Sequence, residues 1–265
     1  MSTTVPPATR TTGSAAAPWR TDPYANALRN GRGPLFLRRR DGWLLPLDIE
    51  RWCAAPGPAD LSALDRCEGS VLDIGCGPGR LVTALAARGD RALGIDVSEA
   101  AVEHTLRLGG AALLRSVFDP LPGEGRWRTA LLIDGNVGIG GDPAALLARV
   151  AELLSPGGLL IAETAPMDVD ECVEVYVDDG RGSPGEPFVP FPWSRLGTTA
   201  LLRHARRHGW QPVDQWSSEG RCFLELRRPR TVRTTRHRAA AANSAAVTSS
   251  QRVRNTPADS PVEDA

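Results

Sequence analysis

Gly75, Gly77 and Gly79 punctuate the decapeptide Val71-Leu72-Asp73-Ile74-Gly75-Cys76-Gly77-Pro78-Gly79-Arg80. Its apolar start and proline-led end predict a buried strand, a tight turn and a helix that runs on through Leu81, Val82, Leu85 and Ala86. Lacking a Cβ, such glycines let the turn take unusual dihedrals and bring its backbone against a ligand. A second strand, Ala92-Leu93-Gly94-Ile95, ends in Asp96, where a carboxylate can accept hydrogen bonds from a ribose diol. Strand, turn, helix, strand and acid together make a site for a nucleotide-type ligand.

The spacing of the glycines separates two ligand classes. A dinucleotide fingerprint, G-x-G-x-x-G, needs its third glycine at position 80, where the chain has Arg80. A pyrophosphate also favours helix-terminal amides with no anion nearby, whereas a ligand carrying an ammonium group and a sulfonium tolerates Asp73. Leu72 to Arg80, with Gly94-Ile95-Asp96-Val97-Ser98, resembles the first and second motifs of class I S-adenosylmethionine-dependent methyltransferases. The resemblance implies S-adenosyl-L-methionine as cofactor and methyl transfer to an acceptor through oxygen, nitrogen or carbon. Two alternatives stay open. One is a non-catalytic module that binds S-adenosylmethionine without turnover. The other is an NAD-type oxidoreductase, disfavoured by Arg80 and by the absence of any lysine for a Ser/Tyr/Lys proton relay.

Positioning these residues requires a sheet. Residues 70 to 164 alternate strand and helix, at 70–75, 79–88, 91–96, 98–108, 111–115, 129–134, 143–154 and 157–163, which predicts parallel strands with helices on both faces. Ser98 reads as an N-cap followed by a favourable Glu99, and Asp142-Pro143 opens a later helix in the same way. Ser155-Pro156-Gly157-Gly158 is expected to end that helix and turn into the strand Leu159-Leu160-Ile161, and the pattern extends the likeness over about 70 to 164. Ser194 to His208 reads as a helix, and Trp210 to Trp216 and Arg221 to Leu226 as a closing pair of strands. The implied fold is α/β and doubly wound, with a mostly parallel seven-stranded sheet and an antiparallel strand near one edge.

The rest of the chain falls around that domain, which spans 70–229. Residues 18–69 are expected to form an N-terminal helix and hairpin lid, with Pro34 to Arg39 and Trp43 to Leu47 turning at Asp41-Gly42 and helical stretches at Tyr24 to Arg29 and Leu47 to Ala54. Residues 165–193 are an insertion after the strand ending at Glu163 and so should lie over the carboxyl ends of the strands, as an acceptor-site flap. Residues 1–17 and 230–265 read as disordered tails, the second Arg-, Ala- and Ser-rich, both short of large apolar side chains.

By the resemblance, Asp73 and the turn with Gly75, Gly77 and Gly79 would hold the amino-acid end of the cofactor, and Asp96 the ribose hydroxyls. The family's adenine contacts fall just after the third strand, on Ser116 and the Val117 amide; the usual acid is absent at Ser116, which puts the part of Asp119 in doubt. Asp134 and Asn136, at the end of the fourth strand, would face the methyl donor. Methyltransferases of DNA amino groups carry an Asn/Asp-Pro-Pro-aromatic tetrapeptide there, to stack a flipped base. Asp134-Gly135-Asn136-Val137 departs from it and favours a small-molecule acceptor. Either Asp134 or Glu163 could serve as general base, or be structural. Tyr24 and Trp43, with Trp52, could wall the acceptor, or pack an ordinary core.

Composition narrows the partners. Formal charge balances at zero, with 31 basic and 31 acidic residues, which argues against a protein built to hold a phosphate backbone. Five scattered cysteines suit free thiols in a reducing cytoplasm. The start of the chain lacks an apolar core, so neither signal peptide nor membrane anchor is expected, and no metal site is expected. His204 and His208 stand four apart on the helical stretch, but without the Glu of H-E-x-x-H and among arginines they read as a solvated basic face.

Overall fold

The computed structural model describes residues 22–181 and 189–229; the two expected tails lie outside the described residues. First come α1 (Asp22–Asn30), a hairpin of β1 (Phe36–Arg38) and β2 (Leu44–Pro46), and the short helices α2 (Ile49–Cys53) and α3 (Pro58–Leu64). The sheet region follows with β3 (Val71–Ile74), α4 (Arg80–Ala87), β4 (Ala92–Asp96), α5 (Glu99–Arg107), β5 (Ala112–Leu114) and β6 (Trp127–Leu132). A kinked 3-10 turn (Asn136–Gly141) leads to α6 (Pro143–Leu153) and β7 (Leu154–Thr164). The chain continues with β8 (Asp170–Asp178), β9 (Phe191–Leu196), α7 (Thr198–Arg207), β10 (Gln211–Ser218) and β11 (Arg221–Arg227).

Seven strands make the main sheet, in the order β10-β11-β7-β6-β3-β4-β5. The pairs β7–β6, β6–β3, β3–β4 and β4–β5 are parallel, and β11 runs antiparallel between β7 and β10. All four residues of β3 are buried, Asp73 among them, because helices cover both faces of a parallel sheet. Ser98 caps α5 by accepting from the Ala101 N–H, and Asp142 caps α6 by accepting from Ala144 and Ala145.

A second sheet, β2-β1-β8-β9, joins the hairpin to the insertion. The register Phe36↔Asp178, Leu37↔Val177 and Arg38↔Tyr176 pairs β1 with β8, and an Arg38–Asp178 ion pair at 2.9 Å seals it. Beneath it, Tyr24, Leu28, Leu37, Ile49, Val177 and Trp193 pack into one apolar cluster that also reaches Ala101 of α5. Each such side chain removed from water contributes roughly 1.5–3 kcal/mol, so the two accessory segments are held to the main domain by a core of their own.

Two expectations are corrected. The helix expected from Ser194 begins only at Thr198, and Phe191–Leu196 is β9. The strand is specified by its partner β8 and not by local pattern, and Gly197, where a Cβ would collide with the Met167 carbonyl, separates it from the helix. Ser155 to Gly158 lies within β7 as an irregularity between the pairs Trp127↔Leu154 and Thr129↔Leu159, with Gly157 at φ +79°. Among the described residues no helix is long and apolar enough to cross a membrane.

Candidate functional site

The three glycines of the turn all have positive φ, yet each does something different. Gly75 (φ +73°) admits the side chain of Asn136, whose Nδ2 donates to the Ile74 and Gly75 carbonyls at 2.9 Å each; a Cβ there would lie 2.6 Å from that nitrogen. Gly77 (φ +54°) faces the cavity beneath Tyr24, whose hydroxyl would be 3.7 Å from an added Cβ. Gly79 makes room for Thr105, so it serves the packing of α5 on α4 and does not line the cavity.

Asp96, at the end of β4, accepts from Gly77 N–H through Oδ2 (2.9 Å) and from Ser98 N–H through Oδ1 (2.8 Å). The Val97 N–H bonds this carboxylate as well, and with about four lone-pair sites the group still has capacity for a ligand hydroxyl. Burial pushes this carboxyl up, against backbone bonds that favour its ionised form. Asp73 sits behind the turn, outside the cavity lining, with Oδ2 buried and without a partner among the described residues. Burial, the largest cause, pushes it up to about 7; Arg80 draws it back, and Asp134, Asp96 and Asp60 raise it further.

The cavity opens at the carboxyl ends of β3, β4 and β6 and encloses about 1050 Å³ including its mouth. Gly75, Gly77, Asp96, Ser116, Val117 and Asn136 line one side. Tyr24, Leu47 and Trp52 from the first segment and Phe191, Pro192 and Trp193 from the second line the other. The Ser116 N–H is taken by the Asp119 carboxylate (3.0 Å), and the Ser116 hydroxyl accepts from Phe118 N–H (3.2 Å). Phe118, half exposed, adds a ring over Gly140.

Behind the turn lies a charge cluster that sequence patterning left unseen. Arg80 donates to Asp60 (2.9 and 2.8 Å) and Asp134 (2.7 Å), and Arg221 to Asp60 (2.6 Å), Asp134 (3.2 Å) and Glu163 (2.8 and 2.7 Å). Arg51 of α2 adds a bond to Asp134 at 2.8 Å, and Glu163 accepts the Asp134 N–H. Arg51 also pairs with the more exposed Asp48 at 3.0 Å, so the three cations meet four carboxylates. Burial opposes ionisation of Asp60, but the two guanidinium groups hold its carboxyl well below the usual range. Asp134 itself has φ +57°, a conformation Asp tolerates and one that favours functional or tightly determined positions.

Of the residues expected in the site, the fold brings Tyr24, Gly75, Gly77, Asp96, Ser116, Val117, Asp134 and Asn136 to one cavity. Glu163 does not reach it: it lies behind Asp134, with both oxygens taken by Arg221. Trp43 does not reach it either, because its ring is covered by the guanidinium groups of Arg195 (4.7 Å) and Arg39 (5.9 Å). His204 pairs with Asp170 at 3.1 Å beside Arg203, as a basic face would. Neither Arg80 nor Asp60 is announced by local pattern: Arg80 stands out in the sequence only as an absent glycine, and Pro58–Leu64, which carries Asp60, has no distinct periodicity.

Comparison with known proteins gives one consistent relationship. A family profile described as a methyltransferase domain matches residues 49–213. The chain is 34% identical over 174 residues to a ubiquinone biosynthesis O-methyltransferase of Cereibacter sphaeroides, covering 63% of this chain and 70% of the relative. With the Methylococcus capsulatus protein of the same description it shares 36% identity over 103 residues, 36% of this chain and only 42% of that relative's length. A Bacteroides fragilis S-adenosylmethionine-dependent methyltransferase, solved with S-adenosyl-L-homocysteine, superposes with a TM-score of 0.63 at 18% identity, over 82% of this chain and 97% of the other, a likeness of fold.

Proposed function

The chain belongs to the class I S-adenosylmethionine-dependent methyltransferases, and from that premise we propose that it methylates a small molecule held between the glycine turn and the second sheet. The observation that carries this reading is the single cavity in which Gly75, Gly77 and Asp96 face Tyr24, Trp52 and Trp193. The residues fit the cofactor: a cradle at Gly75 and Gly77 that a Cβ would obstruct or strain, and a carboxylate at Asp96 that borders the cavity with acceptor capacity left.

When bound, S-adenosylmethionine supplies a methyl carbon that the acceptor's lone pair takes as the carbon–sulfur bond breaks, the acceptor's proton passing to water. The chain's own contribution is then orientation and exclusion of solvent, and no protein nucleophile is needed. Asp96 would hold the ribose hydroxyls, and Ser116, Val117 and Phe118 the adenine edge. Asp73 would act on the ammonium group through its charge, from behind the turn. Asn136 positions the turn through the Ile74 and Gly75 carbonyls. Asp134 meets guanidinium donors from Arg51, Arg80 and Arg221, which supports a positioning role over proton abstraction. The same holds for Glu163 beneath Arg221.

The five unpaired cysteines support a cytoplasmic setting, and the zero formal net charge lends no support to a nucleic-acid partner. Calorimetric titration with S-adenosylhomocysteine and with NAD tests the cofactor: saturable binding of the first and none of the second is expected. The reverse would sink the reading. Methyl transfer from labelled S-adenosylmethionine to a bound acceptor then distinguishes an enzyme from a module that only binds.

A further inference from the structure

Ser116, Val117 and Phe118 border the cavity on the side assigned to the adenine, and their loop is held by a helix that does not line the cavity itself. Arg149 of α6 donates from Nε to the Val117 carbonyl (2.9 Å) and from Nη2 to the Asp119 carbonyl (2.8 Å). Among the described residues neither carbonyl has another donor. Arg149 also pairs with Glu124, whose Oε1 accepts the Leu121 N–H at 2.9 Å, so the loop is tied at Val117, Asp119 and Leu121. Beneath these bonds Val117 and Leu121 share one buried apolar cluster with Leu146, Leu147 and Val150 of the same helix.

Ion pairing alone does not account for the arginine. Its two acidic partners, Glu124 and Glu152, are exposed, and pairs of that kind contribute little. The Arg149 side chain is itself largely buried, and its planar fork of donors reaches two carbonyls at once, which an ammonium on a flexible stem does not reproduce.

The groups left over on the loop define what it can read. The Asp119 carboxylate accepts the Ser116 N–H, and the Ser116 hydroxyl accepts the Phe118 N–H, whereas the Val117 N–H has no acceptor among the described residues. That donor stands next to a hydroxyl oxygen with a second lone pair. A donor beside an acceptor matches a base edge that carries a ring nitrogen next to an amino group. It mismatches an edge on which the two are exchanged, because a donor then faces a donor.

Resting on the methyltransferase reading above, we infer that Arg149 is a positioning residue for the base end of the cofactor. By holding the Val117 and Asp119 carbonyls it fixes the Ser116–Val117 edge that tells adenine from hypoxanthine.

Calorimetric titration of S-adenosylhomocysteine and S-inosylhomocysteine into the wild type and Arg149→Met tests this. The two ligands differ only at the base edge, where in the second the amino group is replaced by a carbonyl and the neighbouring ring nitrogen carries a proton. The wild type should hold S-adenosylhomocysteine at least about fivefold tighter. In Arg149→Met, checked for a cooperative thermal transition, the gap should fall to within about twofold, through loss of S-adenosylhomocysteine affinity with S-inosylhomocysteine affinity nearly unchanged. No discrimination by the wild type, undiminished discrimination in the folded variant, or an equal loss of both ligands would overturn the inference, the last by assigning Arg149 to general stability. Arg149→Lys, which keeps the charge and loses the fork, decides in the same terms if Arg149→Met does not fold. Absence of S-adenosylhomocysteine binding to the wild type is a separate result, and it would remove the methyltransferase reading together with this one.

Discussion

The Arg80 guanidinium forks onto Asp60 with two bonds of 2.9 and 2.8 Å while both side chains are almost wholly buried, at 5% and 1% exposure. The pair ties α3, ahead of the sheet, to the first residue of α4, immediately after the glycine turn. Where a dinucleotide site would carry a third glycine, this chain carries the cation that anchors the turn from behind.

Breaking that pair from one side should be severe. Arg80→Met leaves Asp60 with Arg221 as its sole cation, and loss of one partner of a buried ion pair costs on the order of 3–5 kcal/mol. The double variant Asp60→Leu, Arg80→Met should recover much of that loss, because no uncompensated charge remains. Urea unfolding of the three proteins checks both statements, and a single-variant loss below about 1 kcal/mol would contradict them.

Arg51 links the first accessory segment to the end of β6 through its 2.8 Å bond to Asp134. At 34% exposure it is partly screened by solvent, so Arg51→Gln should cost only about 0.5–1 kcal/mol of global stability. Its effect should be local, as faster hydrogen exchange at amides of α1 and α2 with β3 and β4 unchanged. Equal exchange in the two proteins would show that the apolar cluster alone holds the segment down.

Asp73 gives a pH dependence with a definite sign. Burial raises its carboxyl from the ordinary 3.8 to about 7, so the folded chain keeps a proton that the unfolded chain releases. The stability this group contributes is full below about pH 4 and is lost as pH rises through about 7. Asp73→Asn cannot ionise, so the stability difference, variant minus wild type, should grow by about 2–4 kcal/mol between pH 4 and pH 8 without cofactor. Chemical unfolding at pH 4, 6 and 8 measures it, and a difference independent of pH would show that Asp73 titrates normally.

The parallel core was readable from the chain because its signals are local: a short strand of Val71, Leu72 and Ile74 around Asp73, a glycine turn, and caps at Ser98 and Asp142. Gly75, Gly77 and Asp96 were readable for the same reason. What escaped depends on partners far apart in sequence. β9 pairs with β8 in a sheet shared with the N-terminal hairpin, and Pro192 within it obscures the strand pattern. Asp60 and Arg221 meet across 161 positions, and no periodicity announces such a pair. Trp43 and Trp52 look alike in the sequence. Only the fold separates them, sending one under Arg195 and the other to the cavity.

The central claim is that the turn at Gly77 and the carboxylate of Asp96 hold S-adenosylmethionine, and it is tested most directly by calorimetric titration of S-adenosylhomocysteine into the wild type, Gly77→Val and Asp96→Ala. Gly77 has φ +54° and faces the cavity, so a valine there is strained and fills the ligand's place. Asp96→Ala removes charge-assisted hydrogen bonds worth on the order of 1.5–3 kcal/mol. The account predicts saturable binding to the wild type, at least tenfold weakening in Asp96→Ala as a rough figure, and none detectable in folded Gly77→Val. Undiminished affinity in a folded Gly77→Val protein, or no binding to the wild type, would contradict it.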